Sequence, residues 1–171
     1  MCEGGGCVRI LGIDPGLATL GYGVIEAEGD ARRLIQFGTL TTAAGQPMPQ
    51  RLRAIFQGMN QLMDIYQPDD VAFEELFFSK NITTGMAVSA ARGVALVAVA
   101  QRTDNLYEYT PMQIKQAVTG YGKADKMQVQ QMVKMLLNLP ELIRPDDAAD
   151  AVAAALTHAA SGRMKEQFLM K

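Results

Sequence analysis

Four acidic residues lie where apolar segments end and where a helix begins, and their positions point to metal chemistry. Asp14 ends an apolar run and precedes a Pro-Gly turn, while Glu74 lies in a later apolar run. Asp147 and Asp150 are three residues apart at the start of the last predicted helix, so they share one helical face. Carboxylates that converge repel one another unless a cation lies between them, and such oxygen-rich sites suit Mg²⁺ or Mn²⁺. Two such ions about 4 Å apart can activate a water and stabilise the leaving oxygen in phosphoryl transfer.

The same residue types also have ordinary structural roles. An aspartate before Pro-Gly is often only a turn former. Glu75 competes with its neighbour for the site, because successive strand residues point to opposite faces and only one of the two can join Asp14. Asp146 is a natural N-cap and lies four residues before Asp150, so spacing alone does not choose between Asp146 and Asp147. The metal site therefore rests on the co-occurrence of these acids on one strand order.

The segments that must position these acids alternate between strand and helix patterns. Three strands are predicted at residues 8–13, 20–26 and 34–42, and their short links indicate an antiparallel meander. A helix with one apolar stripe is predicted over residues 52–66. The segment VAFEELFF is then predicted as a fourth strand, parallel to the first through this helical crossover.

The second half of the chain adds one strand and several helices. A helix of small residues is predicted over residues 81–101, a fifth strand over 105–110, and two further helices over 124–139 and 147–161. A capping-box pattern that begins at Thr110 predicts another helix directly after the fifth strand. This order of elements predicts an α/β fold with a mixed five-stranded sheet, three antiparallel strands followed by two parallel strands, flanked by helices.

Composition bounds the size and class of the molecule. The chain has 171 residues, of which 49% are hydrophobic and 20% charged, which is typical of one globular domain. We expect a disordered leader at residues 1–7, one folded domain at residues 8–161 and a weakly ordered tail at residues 162–171. The formal net charge is −2, so any face that binds a polyanion must be locally basic. The sequence has no secretory-signal pattern and no apolar run that could span a bilayer, so we expect a soluble, cytoplasmic protein with no membrane partner.

Two further features have structural interpretations. His158 is the single histidine and lies eleven residues after Asp147, about 16 Å along the helix by its rise per residue, which is too far for both to bind one metal ion. Gly85, Ser89 and Gly93 are four residues apart and give one helix a face of small side chains. This face is predicted either to contact a second copy of the chain or to pack tightly against its own sheet.

Several separated segments resemble the RuvC family of bacterial Holliday junction resolvases. The matching segments fall in the family's order between Val8 and about Ser161, and they are RILGIDPGLATLGYGVIE, VAFEELFFSKN, ARGVALVAVA, EYTPMQIKQAVTGYGKADKMQVQQMV and RPDDAADAVAAALTH. The resemblance implies a ribonuclease H-like fold and a homodimer. It also implies that the protein resolves four-way DNA junctions by paired symmetric nicks, through metal-dependent phosphodiester hydrolysis, in homologous recombination and DNA repair. A branch-migration complex of the RuvA and RuvB type is the partner that the family suggests.

The resemblance also implies which residues perform the chemistry. The acids that are both catalytic and metal-binding in the family fall on Asp14, Glu74, Asp147 and Asp150. The family's D-A-A-D-A run begins at Asp147, which resolves the choice against Asp146. The cofactor implied is Mg²⁺ or Mn²⁺, with two ions per subunit.

DNA contacts are expected from one aromatic residue and four lysines. The aromatic that the family places against junction bases falls on Phe77, and the family's DNA-contacting lysines fall on Lys115 and Lys126. Lys80 and Lys123 lie in the same central part of the chain and extend the predicted basic face. The alternative is that the phenylalanine only packs at a strand end and that each lysine is a solvated surface residue.

Two rival functions keep part of this interpretation. A related ribonuclease H-like nuclease could act on RNA or on other branched DNA, and a non-catalytic module could bind junctions without cutting them. Cleavage assays on matched four-way, three-way and RNA-containing substrates separate the first rival from junction resolution. Metal-dependent cutting excludes the second.

Overall fold

The computed structural model of the chain describes residues 6–76 and 82–171. The strands are β1 (Cys7–Asp14), β2 (Thr19–Glu28), β3 (Ala31–Thr41), β4 (Asp70–Glu74) and β5 (Leu106–Tyr109). The helices are α1 (Met48–Tyr66), α2 (Ile82–Ala100), α3 (Pro111–Thr119), α4 (Lys126–Leu136), α5 (Asp146–Ser161) and a 3₁₀ helix over Gly162–Phe168. None of the helices in these residues is both long and apolar enough to cross a membrane.

The strands form one sheet in the order β3-β2-β1-β4-β5. β1 pairs antiparallel with β2, and β2 with β3, whereas β1 pairs parallel with β4 and β4 parallel with β5. The prediction of a mixed sheet, with three antiparallel strands followed by two parallel ones, is therefore confirmed. β1 begins at Cys7, which pairs with Glu28, so the last residue of the predicted leader belongs to the sheet.

β4 is shorter than the strand predicted over residues 71–78. It ends at Glu74, and part of the predicted segment lies outside the described residues. The neighbouring strand β5 ends at Tyr109 because the next residue, Thr110, already caps α3 and its side chain accepts a hydrogen bond from the N–H of Gln113. Beyond Glu74, β5 therefore offers β4 no further strand residues to pair with.

The sheet separates two apolar layers because strand residues alternate between its faces. On one face, Leu11, Ile13 and Phe73 pack against α1 and α2. On the other face, Ile10 and Ala72 pack against α3, α4 and α5. The acidic residues at the ends of β1 and β4 follow the second of these patterns and face α5.

The small residues predicted to share one face of α2 do not share one environment, since Gly85 is buried. Ala91, Ala95 and Ala98 are the small side chains that α2 buries in the apolar layer. Ser89 and Gly93 are exposed, and a Cβ atom at Gly93 would meet open space. Packing of these two residues against the chain's own sheet is therefore wrong, because they lie on the opposite face of the helix from the buried alanines.

Glycines in β1 and β2 let α5 lie directly on the backbone of the sheet. A Cβ atom at Gly12 would come closer than 3.0 Å to the backbone oxygen of Ala151. A Cβ atom at Gly21 would come equally close to the backbone oxygen of Asp147. Real Cβ atoms essentially never approach other atoms so closely, so only glycine permits this packing.

The residues after α5 are held in place, which differs from the predicted weakly ordered tail. The 3₁₀ helix covers Gly162–Phe168, and Leu169 forms an antiparallel bridge with Tyr107. The N–H of Met170 donates a hydrogen bond to the carbonyl oxygen of Leu106, at 2.8 Å. The tail is fixed because these bonds satisfy backbone groups on the outer side of β5.

Replacement of Gly21 by alanine is expected to destabilise the fold. The added methyl group would meet the backbone of α5, which cannot rotate away as a side chain can, and such overpacking costs about 2–3 kcal/mol in the free energy of unfolding. Urea denaturation followed by circular dichroism measures the loss. Gly45→Ala is the control, because a Cβ atom there meets open space, and its stability should stay within about 0.5 kcal/mol of the parent chain. Equal stability of the two variants would contradict the close packing of α5.

Candidate active site

β1 and β4 each end in a carboxylate at the same edge of the sheet. The two strands are parallel and pair Ile13 with Phe73, so the residues that follow, Asp14 and Glu74, end adjacent strands at one level. Both side chains point toward α5, since the residues two positions earlier in each strand belong to that face. The first and fourth strands thus bring two of the predicted acids together.

α5 brings the other two acids to the same place. Gly21 pairs with Asp14 across β1 and β2, and Gly21 is also the residue on which the backbone of Asp147 lies. The first turn of α5 is therefore positioned over the end of β1. Asp147 and Asp150 both act on Asp14 electrostatically and raise its pKa, which follows from their proximity. We call Asp14, Glu74, Asp147 and Asp150 the acidic cluster.

The two competing acids make other contacts. Glu75 lines a surface cavity on the α2 side of the sheet together with Glu108, as strand alternation requires. Asp146 begins α5 but is not its N-cap, because Pro145 holds that position. The carboxylate of Asp146 instead accepts hydrogen bonds from Arg144, at 2.5 Å, and from Gln130, at 2.9 Å.

Burial and the charges of neighbouring acids raise the pKa values of Asp14, Glu74 and Asp150. Burial, followed by the charges of Asp150 and Asp147, raises the pKa of Asp14 to about 7. Burial, followed by the charges of Asp14 and Asp150, raises the pKa of Glu74 to about 8. Burial also raises the pKa of Asp150 despite its hydrogen bond with Lys126. The cluster therefore holds less positive charge than its carboxylates need in order to ionise fully near neutral pH.

Two lysines supply part of the missing charge from α3 and α4. Lys126 lies with its Nζ atom 3.1 Å from Oδ2 of Asp150 and 3.4 Å from Oδ2 of Asp146. Lys115 lowers the pKa of Glu74, although less than Lys126 does. Both lysines, with Glu74 and Asp150, line a cavity of about 250 Å³ at the edge of the sheet. We call this space the acidic cavity.

The donor chemistry of the acidic cluster fits a divalent cation of the magnesium type. Its donors are carboxylate oxygens, which Mg²⁺ and Mn²⁺ prefer. Within residues 6–76 and 82–171, no three Asp, Glu, His or Cys side chains are close enough together to hold one metal ion in this arrangement. Like charges repel one another, so a cation between these carboxylates would stabilise them.

The remaining predicted DNA contacts fall into two groups. Lys123 is exposed in the turn between α3 and α4, close in sequence to the cavity residue Lys126. Phe77 and Lys80 lie outside the described residues. The basic side chains that the structure brings to the acidic cavity are therefore Lys115 and Lys126.

One buried polar group was not recognised from the sequence. His158 bonds to Asp70 with a distance of 2.8 Å between Nε2 and Oδ2, at the end of α5 remote from the acidic cluster. The two residues are 88 positions apart. A single sequence gives no signal for a contact between residues so distant in the chain.

Comparison with known proteins assigns the chain to a family. The family model described as "Crossover junction endodeoxyribonuclease RuvC" matches residues 10–158. A relative of that name from Alkaliphilus metalliredigens is 53% identical over 162 residues, which are 95% of this chain and 99% of the relative. The match covers all four residues of the acidic cluster.

Solved structures agree with this assignment. The structure described as "T. thermophilus RuvC in complex with Holliday junction substrate" superposes with a TM-score of 0.86 at 37% identity, covering 92% of this chain and 96% of that one. The yeast mitochondrial Holliday junction resolvase shares the fold, with a TM-score of 0.69 at 16% identity over 94% of this chain and 81% of that one. These matches confirm the ribonuclease H-like fold that the resemblance implied. The chain therefore belongs to the RuvC family of crossover junction endodeoxyribonucleases.

Proposed function

We propose that the chain cuts four-way DNA junctions at the acidic cavity, with the acidic cluster as ligands of two Mg²⁺ or Mn²⁺ ions. Members of the family are endodeoxyribonucleases that hydrolyse DNA phosphodiester bonds and resolve Holliday junctions. The single observation that supports the site is the convergence of half-buried carboxylates from β1, β4 and α5, which raises the pKa values of Asp14 and Glu74. A structural surface acid would be solvated and would keep an ordinary pKa.

The position of each acid in the cluster determines its proposed role. When bound, divalent ions lower the pKa of a water and stabilise charge on the leaving oxygen. Asp14 is the central ligand in this proposal, because it ends the middle strand of the sheet and interacts with acids on both sides. Glu74 completes the arrangement from β4, and Asp147 and Asp150 complete it from α5.

The lysines of the acidic cavity bind the phosphate that is cut. The ammonium groups of Lys115 and Lys126 lie beside the carboxylates and donate hydrogen bonds to non-bridging phosphate oxygens in this proposal. Lys123 and Tyr121 extend the surface along the turn between α3 and α4, where the side chain of Tyr121 is 57% exposed. An exposed aromatic ring can stack on an unpaired base, a contact worth about 1–3 kcal/mol. Phe77 and Lys80 remain predicted contacts.

A homodimer fits the symmetry of the substrate. A four-way junction is close to two-fold symmetric, so two copies related by a two-fold axis would present one active site to each of two equivalent phosphates. The exposed face of α2 is our candidate for the contact, since Met86 is 70% exposed and Val97 55% exposed. An apolar groove of about 550 Å³ lies between this helix and α1 and includes Phe56 and Gly93. The proposal extends to a cytoplasmic location and to cooperation with a branch-migration complex of the RuvA and RuvB type.

Asp14→Asn is expected to abolish cutting while junction binding persists. Loss of the central carboxylate removes metal-assisted charge stabilisation worth several kcal/mol, so cleavage should fall by about 10³-fold or more. Synthetic four-way, three-way and RNA-containing substrates are incubated with Mg²⁺, Mn²⁺ or EDTA, and the nicks are mapped on gels. Asp30→Asn, a change in an exposed turn, is the control and should cut normally. Substantial residual cleavage by Asp14→Asn would contradict the proposed site.

Lys115→Gln is expected to weaken junction binding and to reduce its salt dependence. One lost phosphate contact lowers the slope of log affinity against log salt concentration by about 1. Fluorescence anisotropy in EDTA at several salt concentrations measures both quantities. Lys171→Gln, at the exposed end of the chain, removes the same charge as a control. An identical slope for both variants would place the phosphate away from the acidic cavity.

Stability without metal is expected to fall as pH rises from about 4 to about 8. Asp14 and Glu74 have folded-state pKa values raised to about 7 and about 8, from 3.8 and 4.5, so across this window the folded chain binds more protons than the unfolded chain. The free energy of unfolding should drop by about 2 kcal/mol or more from this effect.

Urea denaturation in EDTA at several pH values measures this pH dependence. The double variant with Asp14→Asn and Glu74→Gln serves as the reference and should lose less stability over the same range. Mg²⁺ should restore stability to the parent chain near pH 8 and not to the double variant. If the stabilities of the two proteins depended on pH in the same way, the pKa values of Asp14 and Glu74 would not be raised in the folded chain.

A further inference from the structure

A network of hydrogen-bonded polar side chains lies at the end of α5 that is remote from the acidic cluster. His158 is 3% exposed and Asp70 is 2% exposed. The Nε2 atom of His158 is 2.8 Å from Oδ2 of Asp70, and its Nδ1 atom is 2.8 Å from the hydroxyl oxygen of Tyr109. Lys165 from the 3₁₀ helix also donates to Oδ2 of Asp70, at 2.7 Å. None of these groups takes part in the proposed hydrolysis.

The direction of the hydrogen bond between His158 and Asp70 follows from the charge of Asp70. Burial opposes ionisation of Asp70, but hydrogen bonds from His158 and Lys165 outweigh it and lower the pKa of this carboxyl. A carboxylate only accepts hydrogen bonds, so His158 donates to it from Nε2. Burial raises the pKa of Tyr109 to about 12, so its hydroxyl keeps its proton, and this hydroxyl shares a hydrogen bond with Nδ1 of His158. Each polar atom of His158 is therefore satisfied by a different strand.

β4 and α5 both run from this polar network to the acidic cluster. Asp70 is the first residue of β4 and Glu74 the last, which separates them by about 13 Å along the strand. Asp150 and His158 are eight residues apart on α5, which separates them by about 12 Å along the helix. α5 starts over the end of β1 and finishes over the beginning of β4, so the two spans run side by side in opposite directions. The bond between His158 and Asp70 at one end therefore determines which residues of α5 and β4 lie opposite each other at the other end.

The directional contacts near the start of α5 join it to α4 and to the preceding turn rather than to the sheet. Where α5 lies on β1 and β2, glycines of the strands face Ala151, Asp147 and Val152 of the helix, and these are packing contacts without side-chain hydrogen bonds. In residues 6–76 and 82–171, the side-chain hydrogen bonds that join α5 to the sheet all lie at its C-terminal end. They are made by His158 and by Arg32, which donates to the carbonyl oxygen of Ala159 at 3.1 Å. At the other end, repulsion among the carboxylates favours displacement of the helix.

We propose that His158 and Asp70 are positioning residues that set the axial register of α5 against β4 and thereby hold Asp147 and Asp150 opposite Glu74. This inference rests on the proposed metal-binding function of the acidic cluster. The His158–Asp70 bond opposes the displacement that carboxylate repulsion favours. Its loss would leave the ligands of α5 and β4 out of register, so that a divalent ion finds its ligands misplaced.

The test compares His158→Leu with Thr157→Val. Thr157 is the buried neighbour of His158, and its hydroxyl donates only within α5, to the carbonyl oxygen of Ala153 at 2.8 Å. Two quantities are measured at a temperature where circular dichroism shows both variants folded: Mn²⁺ affinity by calorimetry, and the Mg²⁺ concentration for half-maximal junction cleavage. His158→Leu should weaken both by about 10-fold or more, since misplacement of about 1 Å is that costly. Thr157→Val should change neither, and junction binding in EDTA should be unaltered in both.

Two further variants separate positioning from loss of packing. His158→Gln retains an N–H donor for Asp70 and should restore most of the metal affinity. Tyr109→Phe removes the other hydrogen bond of the same imidazole without touching the link to β4, so its metal affinity should match that of the parent chain. If His158→Leu does not fold, Asp70→Asn keeps the side-chain volume, weakens the bond to His158, and is compared with Thr157→Val by the same two measurements.

Equal metal affinities and cleavage midpoints for His158→Leu and Thr157→Val would overturn the inference. An equal loss in Tyr109→Phe would also overturn it, because that result indicates a general packing effect. Asp14→Asn is included as the reference for the proposed function. If Asp14→Asn loses Mn²⁺ binding while His158→Leu behaves as Thr157→Val does, only the positioning role fails. If Asp14→Asn binds Mn²⁺ normally, the proposed metal site itself fails.

Discussion

The backbone of α5 lies directly on β1 and β2, and this contact brings Asp147 and Asp150 to the acids at the ends of β1 and β4. It requires glycine at Gly12 and Gly21, since any side chain there would hold the helix away from the sheet. The alanine-rich face of α5 meets the same requirement from the other side, because small side chains allow close approach. Two carboxylates are thereby carried to the ends of β1 and β4 on a helix rather than a loop. Sites built on rigid elements hold their geometry more closely than sites on loops.

The same contact accounts for the electrostatics. A helix pressed against the sheet keeps water from Asp14 and Glu74, and burial is the largest cause of their raised pKa values. The cluster is therefore unfavourable when fully ionised and becomes favourable when a cation neutralises it. Asp70 lies on the same face of the sheet and is also buried, but His158 and Lys165 neutralise it with hydrogen bonds. One face thus carries an acid whose charge is already balanced and a cluster whose charge is left open for a ligand.

The sheet was predictable because alternating apolar residues and short links leave few topologies for three strands followed by two crossovers. The shared face of Asp147 and Asp150 followed from helical spacing, whereas the choice against Asp146 needed a family motif. The partners of His158 could not be predicted, because contacts distant in sequence leave no pattern in one chain. The ordered tail was missed for a different reason: its bonds to Leu106 and Tyr107 use backbone groups, which every residue type carries.

A strand at the margin of a sheet presents unpaired backbone groups, which can recruit strands from other molecules. β5 occupies such a margin, and the last residues of the chain run along it through the Leu169 bridge and the Met170 hydrogen bond. Leu169 and Met170 thus cover part of the exposed edge of β5. Addition of a further strand is hindered where Leu106 and Tyr107 already have these partners.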